Sequence, residues 1–218
     1  MISPALPTAH DTTPLAGRTA DPAAAEREAC ADASITAWAL AARGGDSEAV
    51  EHFVRALHRD VRRYVTYLGA DPQHADDLAQ DTFLRALGSL HRFEGRSSAR
   101  TWLLSIARRA VIDNYRYSAA RPRLSDTDDW QGAVERAQPR GLPGFEEGIA
   151  LAELLDALPE ERREAFVLTQ LLGLPYAQAA EVSHCPVGTV RSRVARARTA
   201  LITSLRAADG SGPVTSVA

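Results

Sequence analysis

The chain has 218 residues, a formal net charge of −3 and 45% hydrophobic residues, which leaves room for one large domain or two small ones and excludes a wholly disordered polypeptide. Aromatic residues make up only 6% and alanine is abundant, a balance that favours helices over sheets. Lysine is absent, so all 25 basic residues are arginine and every cationic contact is a guanidinium fork.

The first 22 residues, MISPALPTAHDTTPLAGRTADP, carry neither a basic leader nor an apolar core. Residues 1–33 therefore read as a disordered N-terminal extension. Cys30 and Cys185 are too few for a disulfide framework, and no long apolar run is present. Both facts fit a cytoplasmic protein without a membrane span. A short helix is expected from Ser34, broken at Gly44-Gly45. A longer one follows, because Val50, Phe53, Val54, Leu57, Val61, Tyr64, Val65 and Leu68 recur at helical spacing. Asp71-Pro72 is a restart signal, a capping residue before a proline at the first helical position. Ala75, Leu78, Phe83, Leu87 and Leu90 mark the helix after it. Ser97 or Ser98 caps a fourth, running to about Tyr117, with Trp102, Leu103, Ile106 and Ala110 inward. No stretch alternates as a strand does.

The texture then changes. RPRLSDTDDWQGAVERAQPRGLPGF mixes prolines, glycines and both charges, and reads as a flexible linker over 119–145. Fully extended, it reaches roughly 80 Å, enough to hold two small domains on separate sites of one DNA molecule. Helices resume near Glu146, with Leu151, Leu154, Leu155 and Leu158 as a stripe. Pro159 opens the next, its first turn acidic as the helix dipole prefers, and Gly173 ends it. Pro175 starts a short helix, Ser183-His184-Cys185 forms a tight turn, and Pro186 opens a helix with five arginines and no acid up to Arg206. Residues 209–218 form a tail.

A short helix, a three-residue turn and a second, basic helix have the form of helix-turn-helix DNA recognition, with the start of the second helix in the major groove. Thr189, Arg191, Ser192, Arg193 and Arg196 project from that start, while Val190, Val194 and Leu201 pack inward. The plain alternative is a solvated basic face, which requires Pro175, the turn, Pro186 and the acid-free run to coincide by accident. His184 stands where such turns often carry glycine, and histidine tolerates positive φ. The His184-Cys185 pair lacks further ligands at metal spacing, so neither metal nor cofactor is expected.

Bases and aromatics interleave from Arg92 to Tyr117. Arginines follow a nucleic-acid backbone and aromatics stack on unpaired bases. Phe93, between Arg92 and Arg96, is the better stacking candidate, whereas Trp102 shares a stripe with Leu103 and Ile106 and reads as core. Asp76, Asp77 and Asp81 spread acid along the preceding helix, and an acidic face opposes DNA. It is either a solvated face or a surface for a basic protein.

DDLAQDTFLRAL, RFEGRSSARTWLLSIARRAVID, LPEERREAFVLTQLLGLPYAQAAEV and CPVGTVRSRVARAR, in that order from about Ile35 to Leu205, resemble a bacterial extracytoplasmic-function sigma factor, nearest a mycobacterial subgroup. The resemblance implies an all-α fold of two helical domains, sigma region 2 over 34–118 and sigma region 4 with its helix-turn-helix over 146–208. It implies a non-enzymatic initiation factor whose partners are core RNA polymerase, through clamp helices and flap, and promoter DNA, both duplex and single-stranded. An anti-sigma factor is left open as a further partner. Polymerase binding falls on Asp76, Asp77, Leu78, Gln80, Asp81, Phe83, Leu84 and Arg85. Recognition and melting of the −10 element falls on Arg92, Phe93, Arg96, Ser97, Ser98, Trp102, Arg108 and Arg109. The −35 contacts fall on Tyr176, Pro186, Gly188, Thr189, Arg191, Ser192, Arg193 and Arg196. Gln178 stands where members commonly carry glutamate, and Arg109 where some carry asparagine. The rival readings are a dimeric one-component regulator, which leaves the acidic helix unexplained, and an enzyme with a DNA-binding tail, for which no paired carboxylates, phosphate loop or nucleophile triad is present.

Overall fold

The computed structural model describes residues 22–68, 72–120 and 145–209, and the regular structure among them is entirely helical. Helix α1 spans Pro22–Arg43. It begins about three turns before the expected start at Ser34, inside the stretch read as disordered. A proline at the first helical position and an alanine-rich sequence behind it are sufficient cause. Gly44 and Gly45 break it, the latter at φ 96°. Helix α2, Ser47–Tyr67, is capped by Asp46, whose carboxylate accepts from Glu48 N at 3.0 Å and Ala49 N at 3.1 Å. Its expected stripe is buried at Phe53, Leu57, Val61, Tyr64, Val65 and Leu68.

Helix α3, Pro72–Ser89, runs into a 3-10 turn at Leu90–Arg92. Helix α4 spans Ala99–Ala120, about one turn beyond the expected end. Ser98 starts it, accepting from Thr101 N at 3.1 Å and donating to Thr101 Oγ1 at 2.9 Å. The four helices pack on one another around Phe53, Leu57, Val61, Leu103 and Leu104, all at most 1% exposed. Truncating Leu103 to alanine there would cost about 2–5 kcal/mol.

The second half comprises α5 (Phe145–Asp156), α6 (Glu160–Phe166), α7 (Tyr176–Ser183) and α8 (Val187–Asp209). Pro159 precedes α6, and Glu160 and Glu161 occupy its first turn. Helix α6 continues as one π turn, Val167–Leu171, closed by Leu172 N donating to Val167 O at 2.9 Å. Gly173, at φ 74°, then turns the chain. Leu155, Leu168, Val182, Val190, Val194 and Ala197 form this half's core. The halves also pack on each other, α4 against α7 and α2 against α5 and the π turn. Residues 121–144 of the expected linker, the expected cap Asp71, and residues 210–218 lie outside the described residues.

Candidate nucleic-acid interface

The tight turn expected at 183–185 is a left-handed helix end. His184 sits at φ 50°, ψ 44°, and Cys185 N donates back to Ala180 O at 3.1 Å. That sharp stop lets α8 restart at once, with Thr189 N donating to Pro186 O at 2.8 Å. Burial of Val190, Val194, Ala197 and Leu201 fixes the rotation of α8. Pro186, Gly188, Arg191, Ser192 and Arg196 are therefore exposed, and Thr189 and Tyr176 are half-buried. The Arg191 guanidinium lies 5.9 Å from the centroid of the Tyr176 ring, a cation–π distance that aims it along the outer face. Arg193 is turned the other way. Its side chain is 20% exposed and donates to Glu161 Oε2 at 2.6 Å, with Cys185 Sγ at 3.5 Å. As it stands, Arg193 ties α8 to α6 and does not project with Arg191.

In the first half, the 3-10 turn and Gly95 (φ 73°) fold the 93–98 loop back against α1. Arg43 donates to Phe93 O at 3.1 Å, and the Thr36 hydroxyl accepts from Ala99 N at 3.0 Å. These contacts drive the Phe93 ring inward, 3% exposed and 4.9 Å from the Trp102 ring. The expectation that Phe93 is an exposed stacking platform is corrected: it is core, and half-buried Trp102 is the ring nearer the surface. Arg92, Arg96 and Arg109 are exposed. Arg96 pairs with Glu94 at 2.6 Å, in solvent, where such a pair contributes about 0–1 kcal/mol and exchanges readily for a phosphate. Beside them, Asp32, Thr36, Leu40, Gly95, Arg96 and Ser97 line an open hollow of about 480 Å³. Asp32 reaches it only because α1 starts early.

Along α3, Asp76, Asp77, Gln80, Leu84 and Arg85 are exposed and Asp81 is half-exposed. Leu84, at 62%, is a large apolar side chain in solvent. Leu78 and Phe83, expected on this surface, are buried at 8% and 7% and belong to the core, since the α3 stripe must face α2 and α4. Arg85 donates to Asp113 at 2.7 Å and to Asp81 at 2.8 Å, and those bonds raise its pKa further.

The contact between the halves was not legible in sequence. Tyr64 Oη of α2 donates to Glu164 Oε1 of α6 at 2.9 Å, and Arg108 Nε of α4 donates to the same oxygen at 2.7 Å. Tyr64 is fully buried, and burial together with the Glu164 carboxylate pushes its phenol well above the usual range. Arg100 donates to Asp60 Oδ2 at 2.7 Å and to the carbonyl of Leu172, past the π turn, at 2.6 Å. Arg108, expected to face DNA, is thus engaged by a carboxylate of the other half. A tyrosine in a buried stripe signals a polar partner, but no local pattern points to one a hundred residues away.

The sigma-70 region 2 family matches residues 53–121, and the sigma-70 region 4 family matches residues 149–201. The ECF RNA polymerase sigma factor SigC of Mycobacterium tuberculosis is 48% identical over 181 residues, 83% of this chain and 96% of its own. This chain belongs to the extracytoplasmic-function sigma factors. It is therefore an alternative sigma factor, a transcription initiation subunit that gives core RNA polymerase its promoter specificity, and not an enzyme. The sigma factor EcfG of Rhodopseudomonas palustris is 36% identical over 65% of this sigma factor and 76% of its own length. Among solved structures, CnrH in complex with the cytosolic domain of CnrY superposes with a TM-score of 0.63 at 26% identity, covering 80% of this chain and 98% of that one. The sigma factor RpoE bound to the anti-sigma factor NepR from Bartonella quintana shares the fold, with a TM-score of 0.57 at 24% identity over 72% and 96%. Among the described residues, no helix is long and apolar enough to cross a membrane and no His/Cys/Asp/Glu cluster could hold a metal.

Proposed function

We propose that this sigma factor acts in the cytoplasm as two modules with separate tasks. The first (34–118) docks on the polymerase through the exposed side chains of α3 and captures the opened −10 strand with Arg92, Arg96 and Arg109 around the α1–loop hollow. The second (146–208) reads the −35 duplex with Arg191, Ser192 and Arg196, supported by Tyr176, Pro186, Gly188 and Thr189. The observation that carries this reading is the rotation of α8. Four buried apolar residues turn two unpaired arginines outward directly after a left-handed turn, and each can fork onto a guanine edge. Net acidity limits indiscriminate attraction to phosphate, so the basic helix reads DNA once the polymerase holds it there.

The packed arrangement is the resting form in this reading. While Glu164 holds Arg108, that guanidinium is unavailable to a strand phosphate, and the two modules cannot spread along DNA. An anti-sigma partner, as in the RpoE–NepR structure, is compatible with that resting form. The test is run-off transcription with purified core polymerase on a randomised promoter library. Transcripts starting downstream of two recurrent elements, lost with R191A/R196A, support the reading. Specific binding to duplex promoter by the free protein, with no effect on polymerase start sites, overturns it in favour of a one-component regulator.

A further inference from the structure

The 93–98 loop has a hollow on each side. On the α4 side, Arg92, Glu94 and the Phe93–Trp102 pair line a small cleft of about 140 Å³. On the α1 side lies the larger hollow of about 480 Å³. Arg96 and Ser97 line both, so these two residues are the wall between them. A single strand crossing that wall passes two cavities, and their linings differ. The α1-side hollow has an apolar floor of Ala33, Ala37 and Leu40, with Gly95 lying against the Leu40 side chain. The Thr36 hydroxyl donates to Asp32 O at 2.8 Å and accepts from Ala99 N at 3.0 Å, which holds α1 to the start of α4. Ser98 is likewise engaged by Thr101. Asp32 is different. Its partly buried side chain lines the hollow, and its carboxylate has no ion pair or hydrogen bond among the described residues. A partly desolvated carboxylate without a donor is unfavourable, and a ligand bearing N–H groups would relieve it.

The ligand's chemistry follows from this lining. Asp32 repels phosphate, so a strand here keeps its backbone outside, along Arg96, whose exposed pair with Glu94 exchanges readily. A base then points inward. Unpaired bases are read on their pairing edges, with apolar side chains against their faces. A carboxylate offers acceptors side by side and no donor. Among the pairing edges, only that of guanine presents two adjacent donors, N1–H and N2–H. Adenine and cytosine present an amine beside a ring-nitrogen acceptor, and thymine presents one N–H between two carbonyls. Each of those three brings a lone pair against the carboxylate. We infer that the α1-side hollow seats a second unpaired base of the opened −10 strand, and that Asp32 makes guanine the preferred one. This rests on the reading of the 93–98 loop as strand-capturing.

The experiment selects holoenzyme, reconstituted from the full-length protein and purified bacterial core polymerase, on a randomised single-stranded DNA library. Wild type, D32N, D32A and the control E26Q are compared, with circular-dichroism melting to establish folding. Glu26 is an exposed carboxylate earlier on α1, outside the hollow. The expected strands carry two constrained positions, one of them a guanine preferred at least about tenfold. That preference should vanish in D32N and D32A and persist in E26Q, while the other position is unchanged in every variant. A second measurement needs only the wild-type protein. Inosine, which lacks the N2 amine, should bind at least about threefold more weakly than guanine at that position. A 7-deazaguanine, altered on the opposite edge, should bind as guanine does. The inference is overturned, with the −10 reading left standing, by a single constrained position or by a second position that prefers another base. Guanine preference surviving in folded D32N and D32A, or inosine binding as well as guanine, overturns it equally. Wild-type holoenzyme that selects no sequence at all overturns the −10 reading, and this inference with it.

Discussion

Helices α4 and α8 are the two arginine-bearing helices of this sigma factor, and they hold their charges differently. On α8, Arg191, over the Tyr176 ring, and Arg196 face outward without an ion pair among the described residues, whereas Arg193 is drawn to Glu161 and Arg198 donates to Gln170. On α4, Arg109 and Arg116 are exposed, while Arg100 and Arg108 are engaged across the module contact. Sequence spacing makes the two runs look alike. What separates them is whether another module supplies a carboxylate or carbonyl to the helix face. An arginine in a basic run stays available to DNA where it faces solvent or an exposed, exchangeable carboxylate, and is withdrawn where a buried partner holds it.

That contrast breaks most visibly at α8. R191A/R196A removes two guanine forks of about 1–3 kcal/mol each, so promoter-directed transcripts should fall at least about thirtyfold in run-off assays at saturating core. A loss under threefold would place the reading arginines elsewhere. Next in size is the module contact. E164Q leaves Tyr64 and Arg108 without their anion, a loss of about 1–3 kcal/mol. It should raise hydrogen exchange in α4 and α7, expand the free protein in X-ray scattering, and tighten binding of a −10 single strand. R108A should expand the protein equally but leave strand binding no tighter. Equal behaviour of the two variants would mean that Arg108 has no second task.

A smaller effect is expected from pH. The folded-state pKa of Tyr64 is raised above its unfolded value of about 10. Its contribution to the packed form is therefore complete below about pH 10 and is lost as pH rises through the elevated value. Exchange rates at the module contact should climb in that alkaline window, and Y64F should lack the Tyr64-linked part of the climb. The smallest effect belongs to R193A. Because Arg193 ties α8 to α6, promoter discrimination should change less than threefold while the melting temperature falls by a few degrees. A loss as large as that of R191A would show that the Glu161 pair opens on DNA.

The sequence by itself determined the helices and the rotation of most of them. Ser98 as a cap, Pro159 and Pro175 as starts, His184 as the left-handed stop and the Val190–Val194–Leu201 stripe are local devices acting over a few residues, so they are legible without a fold. The early start of α1 was legible in its proline and alanines, but the polar segment ahead of it masked them. Only the tertiary structure decided which members of the candidate site face solvent. Phe93, Leu78 and Phe83 were claimed by the core because a neighbouring helix needed apolar cover. Arg108 was claimed by the buried Glu164, where a low-dielectric contact favours a paired charge over a free one, and Arg193 was drawn to Glu161, whose carboxylate remains largely in solvent. Those partners come from distant parts of the chain, and the choice between base, phosphate and carboxylate for a guanidinium is settled by what the packing brings within reach.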